Sequence, residues 1–275
     1  MAHIVGLSSW VAHGHVGLSA SAPVLQRLGH SVTQLPTVLL SNHPGWPHVA
    51  GAPVPVSQLE AMWDALCTNA WMSDVDALLI GYMPTPDHVK LAAQMADQLR
   101  QANPMIRVVV DPVMGDAPKG LYIDPAVAAA VRDDLLPKAE FLTPNLFELG
   151  WLTQRPVATL SDVCQAAQDL CARYAIDSLL VTSAPAAAGQ IGVVQVTSGG
   201  AVLWQSPKQD GVPHGVGDVF AACIAGGVPV GKALGHLQAL ICASLGHPHL
   251  MIAESAETWA CATAIASDKI SETEG

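Results

Sequence analysis

Short β-branched runs alternate with longer amphipathic patterns along most of the chain, and this alternation restricts the fold more than any other feature. HIVGLSS (3–9), SVTQLPTVLLS (31–41), ALLIGY (77–82), IRVVVD (106–111), EFLTPN (140–145) and SLLVTSA (178–184) read as strands. Helical patterns lie between them at 19–29, 57–72, 86–102, about 124–135, NLFELGWLT and 161–174. Strands joined through a helix run parallel, and a parallel sheet needs helices on both faces. IGVVQVTSGGAVLWQS (191–206) breaks the alternation and reads as a hairpin about a Ser-Gly-Gly turn. From 216 to about 267 the pattern is nearly all helical, and the polar tail 267–275 is expected to fray. The expected architecture is α/β, a three-layer αβα sandwich around a central, mostly parallel sheet, in one domain over 1–275.

Composition narrows the partners. Only 13% of the 275 residues are charged and 51% are hydrophobic, against about 25% charged in typical soluble domains. Much of the surface must be buried in the fold or between subunits, so a homo-oligomer is expected. A net charge of -11 argues against nucleic acid and anionic membranes. Apolar stretches are interrupted before the roughly 18 residues that a membrane span needs. Met1-Ala2-His3 shows no basic leader, so the cytoplasm is the default location. The six cysteines form no C-x-x-C pair and read as buried thiols. Cys164 and Cys171 share a helix face, but no histidine or carboxylate pattern makes them a metal pair.

Ligands of such folds gather outside the carboxyl ends of the strands, where Ser9, Tyr82, Asp111, Asn145 and Thr182 fall. In GVPHGVGDVFAACIAG (211–226), Gly215-Val216-Gly217-Asp218 precedes a run of small apolar residues. Unpaired amides at a helix start carry partial positive charge, and the two glycines would let them close on a phosphate. Asp218 then suits a base that takes a proton from an attacking hydroxyl. The alternative is a plain helix start with an early Asp favouring the dipole. In TPNLFELGWLT (143–153), Asn145 and Glu148 are three apart: on one helix face they suit a hard cation with its waters, or they form a capping box. Asp111 in VVVDPVMGD ends a strand before Pro112, available to a metal or merely capping a loop. His13 and His15 sit in a glycine-marked loop, as metal ligands or as structural side chains. No G-x-S-x-G, P-loop or G-x-G-x-x-G motif supports a hydrolase, P-loop or dinucleotide reading.

Taken in this order, GHVGLSA (14–20), LQRLG (25–29), LSNHPGW (40–46), GY (81–82), DPVMGD (111–116), TPNLFELGWLT and GVGD (215–218) resemble the ribokinase-like superfamily, and within it the pyridoxal kinase branch. GHVG with SNH is the narrow part, since hydroxymethylpyrimidine kinases share DPVM and TPN-x-x-E without it. The resemblance implies ATP-dependent phosphorylation of the 5′-hydroxymethyl group of pyridoxal, with ATP, magnesium and in some cases a monovalent cation, by a homodimer. It implies that Asp218 is the base and that Gly215, Val216, Gly217 and Asp218 form the anion hole. Ser9, Val16, His43, Pro44, Gly45 and Tyr82 match positions around the pyridine ring. Asp111, Thr143, Asn145, Glu148, Thr182 and Gly217 match the ATP side, with Asp111 and Glu148 toward magnesium.

Several positions depart from the pattern. Pro44 stands where a Thr commonly follows SNH, Leu18 replaces an Asn, Thr182 stands where relatives often place a Lys, and Ser206 to His214 is short. These departures bear on acceptor choice and rate, and leave two alternatives: a hydroxymethylpyrimidine-type kinase, or a catalytically weak B6-vitamer binder.

Overall fold

The computed structural model describes residues 1–270. In chain order its elements begin with β1 (His3–Val11), α1 (Leu18–Arg27), β2 (Ser31–Leu40), β3 (Gly51–Pro53), α2 (Val56–Thr68), β4 (Ala77–Ile80), α3 (Pro86–Ala102) and β5 (Arg107–Val110). Next come β6 (Gly115–Asp116), β7 (Gly120–Leu121), α4 (Pro125–Ala130), β8 (Phe141–Leu142), α5 (Leu146–Thr153), α6 (Leu160–Tyr174) and β9 (Ser178–Ala184). The chain continues through β10 (Gln190–Thr197), β11 (Gly200–Pro207), α7 (Val216–Ala225), α8 (Val230–Ser244), α9 (Ala256–Trp259) and β12 (Ser267–Lys269).

One sheet carries ten of the strands in the order β12-β11-β10-β9-β8-β5-β4-β1-β2-β3. The pairs from β2 through β9 are parallel, and the flanking pairs are antiparallel. Alternation along each inner strand divides the side chains between two cores. Val5, Leu78, Ile80, Val108 and Val110 face the layer of α2 to α6, through residues such as Leu59, Trp63 and Leu149. Ile4, Leu79 and Val109 face α1, α7, α8 and α9, through Val24, Phe220, Leu240 and Trp259. Burying each such large apolar side chain contributes about 1.5–3 kcal/mol, so the two cores together hold the three layers.

Three segments differ from the sequence reading. The loop expected over 41–56 contains β3, which pairs with β2 and forms one end of the sheet. Gly115 to Leu121 folds into a separate two-stranded hairpin of β6 and β7. The tail does not fray at Ser267–Lys269: these residues pair with Val202–Trp204 of β11 as an outer strand. The expected fraying of 271–275 falls outside the described residues. No helix among the described residues is long and apolar enough to cross a membrane.

Candidate active site

The carboxyl ends of the parallel strands share one edge of the sheet. Chain order reverses at β1, which has β2 on one side and β4 on the other, so a crevice opens at that edge. Helix α7 starts there. Its N-cap Gly215 has φ 102°, and a Cβ on it would stand 2.0 Å from the His15 carbonyl oxygen. Glycine is therefore required for the turn to approach the 13–17 loop. Gly217 in the first turn faces Asp111, since a Cβ there would lie 3.8 Å from Asp111 Oδ2.

Asp218 is half-buried and does not cap its own helix. It accepts a hydrogen bond from the Gly17 amide instead, while burial pushes its pKa up to about 6. The first amides of α7 thus have no side-chain cap among the described residues, which favours the anion-binding alternative over the plain helix start.

Asp111 follows β5, its amide donating to the Ile80 carbonyl at 2.8 Å. Burial, then the charges of Glu148 and Asp218, raise its pKa well above the usual carboxylate range. Glu148 is also buried. Its carboxylate accepts from the Met114 amide at 2.8 Å and the Asn145 amide at 2.9 Å, and burial nevertheless lifts its pKa to about 7. Asn145 Oδ1 accepts from the Glu148 amide at 2.9 Å, so the capping box is formed. Asn145 Nδ2 donates to the Gly115 carbonyl at 2.8 Å, tying the β6–β7 hairpin to α5. The Asn145 amide is thus committed to backbone, whereas Glu148 caps the helix and still repels Asp111.

Thr143 Oγ1 is a buried side-chain oxygen with no hydrogen-bond partner among the described residues. It adjoins the Asp111 carboxyl and acts to lower that pKa. Thr182 is half-buried, and its amide donates to the Pro144 carbonyl at 2.8 Å. Beyond Ser183 a cleft of about 830 Å³ runs from Asp116 and Phe147 past Trp151 to Lys208.

Around the 13–17 loop, Val16 and His43 line a small cavity with His13, His15, Trp46, His214 and His249. Ser9 abuts the same loop: a Cβ on Gly17 would lie 2.3 Å from Ser9 Oγ. Tyr82 is half-buried; its amide donates to Ser8 Oγ at 3.1 Å and its carbonyl accepts from Thr37 Oγ1 at 2.7 Å. Gly45 donates its amide to His43 Nδ1 at 3.0 Å, while Pro44 is exposed and lies outside the cavity lining.

Leu18 does not face the acceptor: it is buried, with its Cδ2 2.8 Å from where a Gly6 Cβ would stand, so that departure belongs to the core. His15 Nδ1 lies 3.0 Å from the Ser19 carbonyl and the His13 ring meets His249 edge-on. Among the described residues no three His, Cys, Asp or Glu side chains surround a metal position, and Cys164 and Cys171 are free thiols.

Sequence reasoning missed Tyr122, His214, His249 and Trp46. Tyr122 is exposed over about half its surface, yet desolvation at the phenol, with the charges of Glu148, Asp111, Asp218 and Asp116, raises its pKa strongly. His214 carried a signal in its position directly before the Gly215 turn.

Comparison with known proteins places the chain in a family. The phosphomethylpyrimidine kinase family matches residues 21–238. The pyridoxine/pyridoxal/pyridoxamine kinase of Bordetella avium is 35% identical over 234 residues, covering 84% of this chain and 79% of its own. A pyridoxal kinase of Corynebacterium diphtheriae is 33% identical over 230 residues, covering 82% of this chain and 80% of its own. The solved structure of pyridoxal kinase from Leishmania donovani, in complex with ADP and pyridoxamine, aligns with TM-score 0.91 at 27% identity, over 98% of this chain and 100% of that one.

Proposed function

The chain belongs to the phosphomethylpyrimidine kinase family, among its pyridoxal kinases, and on that premise we propose that it transfers the γ-phosphoryl group of ATP to the 5′-hydroxymethyl group of pyridoxal. The placement of Asp218 carries the reading: a carboxylate of raised pKa, held by the Gly17 amide beside the uncapped start of α7. Asp218 takes the hydroxyl proton as the alkoxide oxygen attacks the γ-phosphorus. The bond from that phosphorus to the β,γ-bridging oxygen breaks, and ADP leaves. The amides of Gly215 to Asp218 face the charge on the transferring group, so most of the catalysis is positioning and charge stabilisation. Ser9, Val16, His43 and Tyr82 surround the pyridine ring. The triphosphate runs past Thr143, Asn145 and Thr182 toward the cleft at Ser183.

Magnesium fits the donor set. Asp111 and Glu148 are buried carboxylates, the charge of Glu148 adds to the rise in the Asp111 pKa, and Thr143 Oγ1 is unpartnered among the described residues. Mg²⁺ is commonly held by one or two carboxylates together with substrate phosphates and waters. Asp111 would hold it directly, and Glu148, with both oxygens already on amides, through water. Bound there, the ion supplies positive charge to the phosphates.

The homodimer reading rests on Trp10, Leu39, Trp46 and Val49, all exposed near the β3 end of the sheet. A cytoplasmic, single-domain enzyme is in keeping with six unpaired cysteines. The test is ADP release from Mg-ATP with pyridoxal, pyridoxine, pyridoxamine and hydroxymethylpyrimidine. Turnover that requires a B6 vitamer is the expected result. Turnover only with the pyrimidine, or with nothing in the panel, overturns the reading.

A further inference from the structure

The cavity beside α7 is walled by imidazoles. His13, His15, His43, His214 and His249 line it with Trp46 and Val16, and no carboxylate is among the lining residues. Two of these rings form a true stack: His43 and His214 lie 3.9 Å apart between centroids at 21°. Gly45 wedges against both, since a Cβ on it would stand 2.9 Å from His43 Nδ1 and 3.5 Å from His214 Nε2. His214 is set there by the turn at Gly215, the same turn that opens α7.

This arrangement decides the protonation of His43. A backbone amide can only donate, so the Gly45 N–H bond at 3.0 Å makes Nδ1 the acceptor. An imidazolium carries hydrogens on both nitrogens and would break that bond. A second imidazole stacked on the face leaves no room for a counter-charge there. The neighbouring charges act the same way: burial first, then His214 and Lys119, lower the His43 pKa to about 4. His214 feels burial and Lys119 against the opposite pull of Asp116. Neutral His43 therefore keeps its hydrogen on Nε2.

We propose that His214 is a positioning residue for the acceptor: stacked on His43, it holds that ring neutral and oriented, so that Nε2–H donates to the ionised ring oxygen of a B6 vitamer. This rests on the reading of the chain as a pyridoxal kinase. A wall of imidazoles without a carboxylate, close to Lys119, suits that anionic oxygen, and the vitamer's hydroxymethyl arm then extends toward Asp218. A stacked aromatic pair is worth enough to change affinity by about two- to tenfold.

The experiment compares His214→Ala and His214→Phe with the wild type, using pyridoxine and its 3-deoxy analogue as probes. In His214→Ala, Kd for pyridoxine is expected to rise about five- to tenfold, with KM for ATP and kcat within about twofold. Kd for 3-deoxypyridoxine, which lacks the ring oxygen, should hardly change. His214→Phe keeps the stack and should restore pyridoxine binding. The histidine NMR titration of His43 should move up toward the ordinary value in the Ala variant and stay low in the Phe variant. Equal losses for both probes, or no rescue by Phe in a protein with wild-type melting, overturn the proposal. Wild-type protein that phosphorylates no vitamer sinks the underlying reading, whereas normal wild-type turnover with an unchanged Ala variant sinks this inference alone.

Discussion

Two groups of ionisable side chains near the start of α7 respond to loss of water in opposite ways. In one, Asp111, Glu148 and Asp218 are carboxylates whose pKa values burial drives up. In the other, His43, His214 and His249 are imidazoles whose pKa values burial drives down. Burial penalises charge in both places, yet the consequences differ. Neutral imidazoles are stable as they stand, and the His43–His214 stack needs nothing further. The carboxylates are stabilised only in part by the amides of Gly17, Met114 and Asn145, and they repel one another. One group is complete before substrate arrives, and the other is short of positive charge until a cation comes with the nucleotide.

Removing the base should break this comparison most severely. Asp218→Asn keeps an acceptor for the Gly17 amide but cannot take a proton, so kcat should fall by roughly two to four orders of magnitude. In the wild type, activity should fall as pH drops through about 6, where Asp218 becomes protonated. The stability effect has the opposite sign. A carboxyl whose folded pKa is raised binds its proton more tightly in the folded state, so its stabilising influence is present at low pH and lost as pH rises through the folded value. Neutral Asn at 218 should therefore leave the melting temperature at neutral pH unchanged or higher. Near-normal turnover of the variant would remove Asp218 from the role.

Glu148→Gln separates its two duties. As a cap, the carboxylate receives amides from Met114 and Asn145, and Gln can receive only one of them while turning an NH₂ toward the other. That conflict costs about 1–3 kcal/mol, partly offset by removing a buried charge. As a magnesium group, its loss should raise the Mg²⁺ concentration needed for half-maximal rate by about tenfold. Magnesium titration of the rate, run beside a thermal melt, reads the two effects independently. A lowered melting temperature with unchanged magnesium dependence would leave Glu148 as a capping residue alone.

What the sequence made legible follows from periodicity and from glycine. β-branched runs and amphipathic helices announced the parallel sheet; Tyr82, Asp111 and Asn145 follow strand ends as expected, whereas Ser9 and Thr182 lie inside β1 and β9, which each run two residues further. The Gly215 turn was legible because only glycine tolerates its φ of 102° and the 2.0 Å approach to His15. The two-residue strands β6 and β7 were not, since a period cannot show in two residues. β12 is polar and became a strand only because β11 offered an unpaired edge. The stack of His214 on His43, and the convergence of charges on Tyr122, are products of tertiary approach between distant segments. Leu18 misled for a related reason: its place in a motif suggested the acceptor, while the small residue Gly6 on β1 gave it a seat in the core.

The smallest expected effect tests the shortage of positive charge directly. Thr182 is half-buried two residues before the end of β9, bridged to Asn145 through the Pro144 carbonyl, and its side chain is neutral. A Lys at 182 would reach into the region that Asp111, Glu148 and Asp218 already make negative. An added cation several ångströms from phosphate at a partly wet site is worth about 1 kcal/mol or less. Thr182→Lys should therefore lower KM for ATP by about two- to fivefold, and the gain should shrink as salt rises, because screening acts on exposed charges. KM for pyridoxal should stay put, since Thr182 is not among the residues that line the imidazole wall. A change confined to pyridoxal would show that the two groups are not separate, and no change in either KM would place Thr182 away from the phosphates.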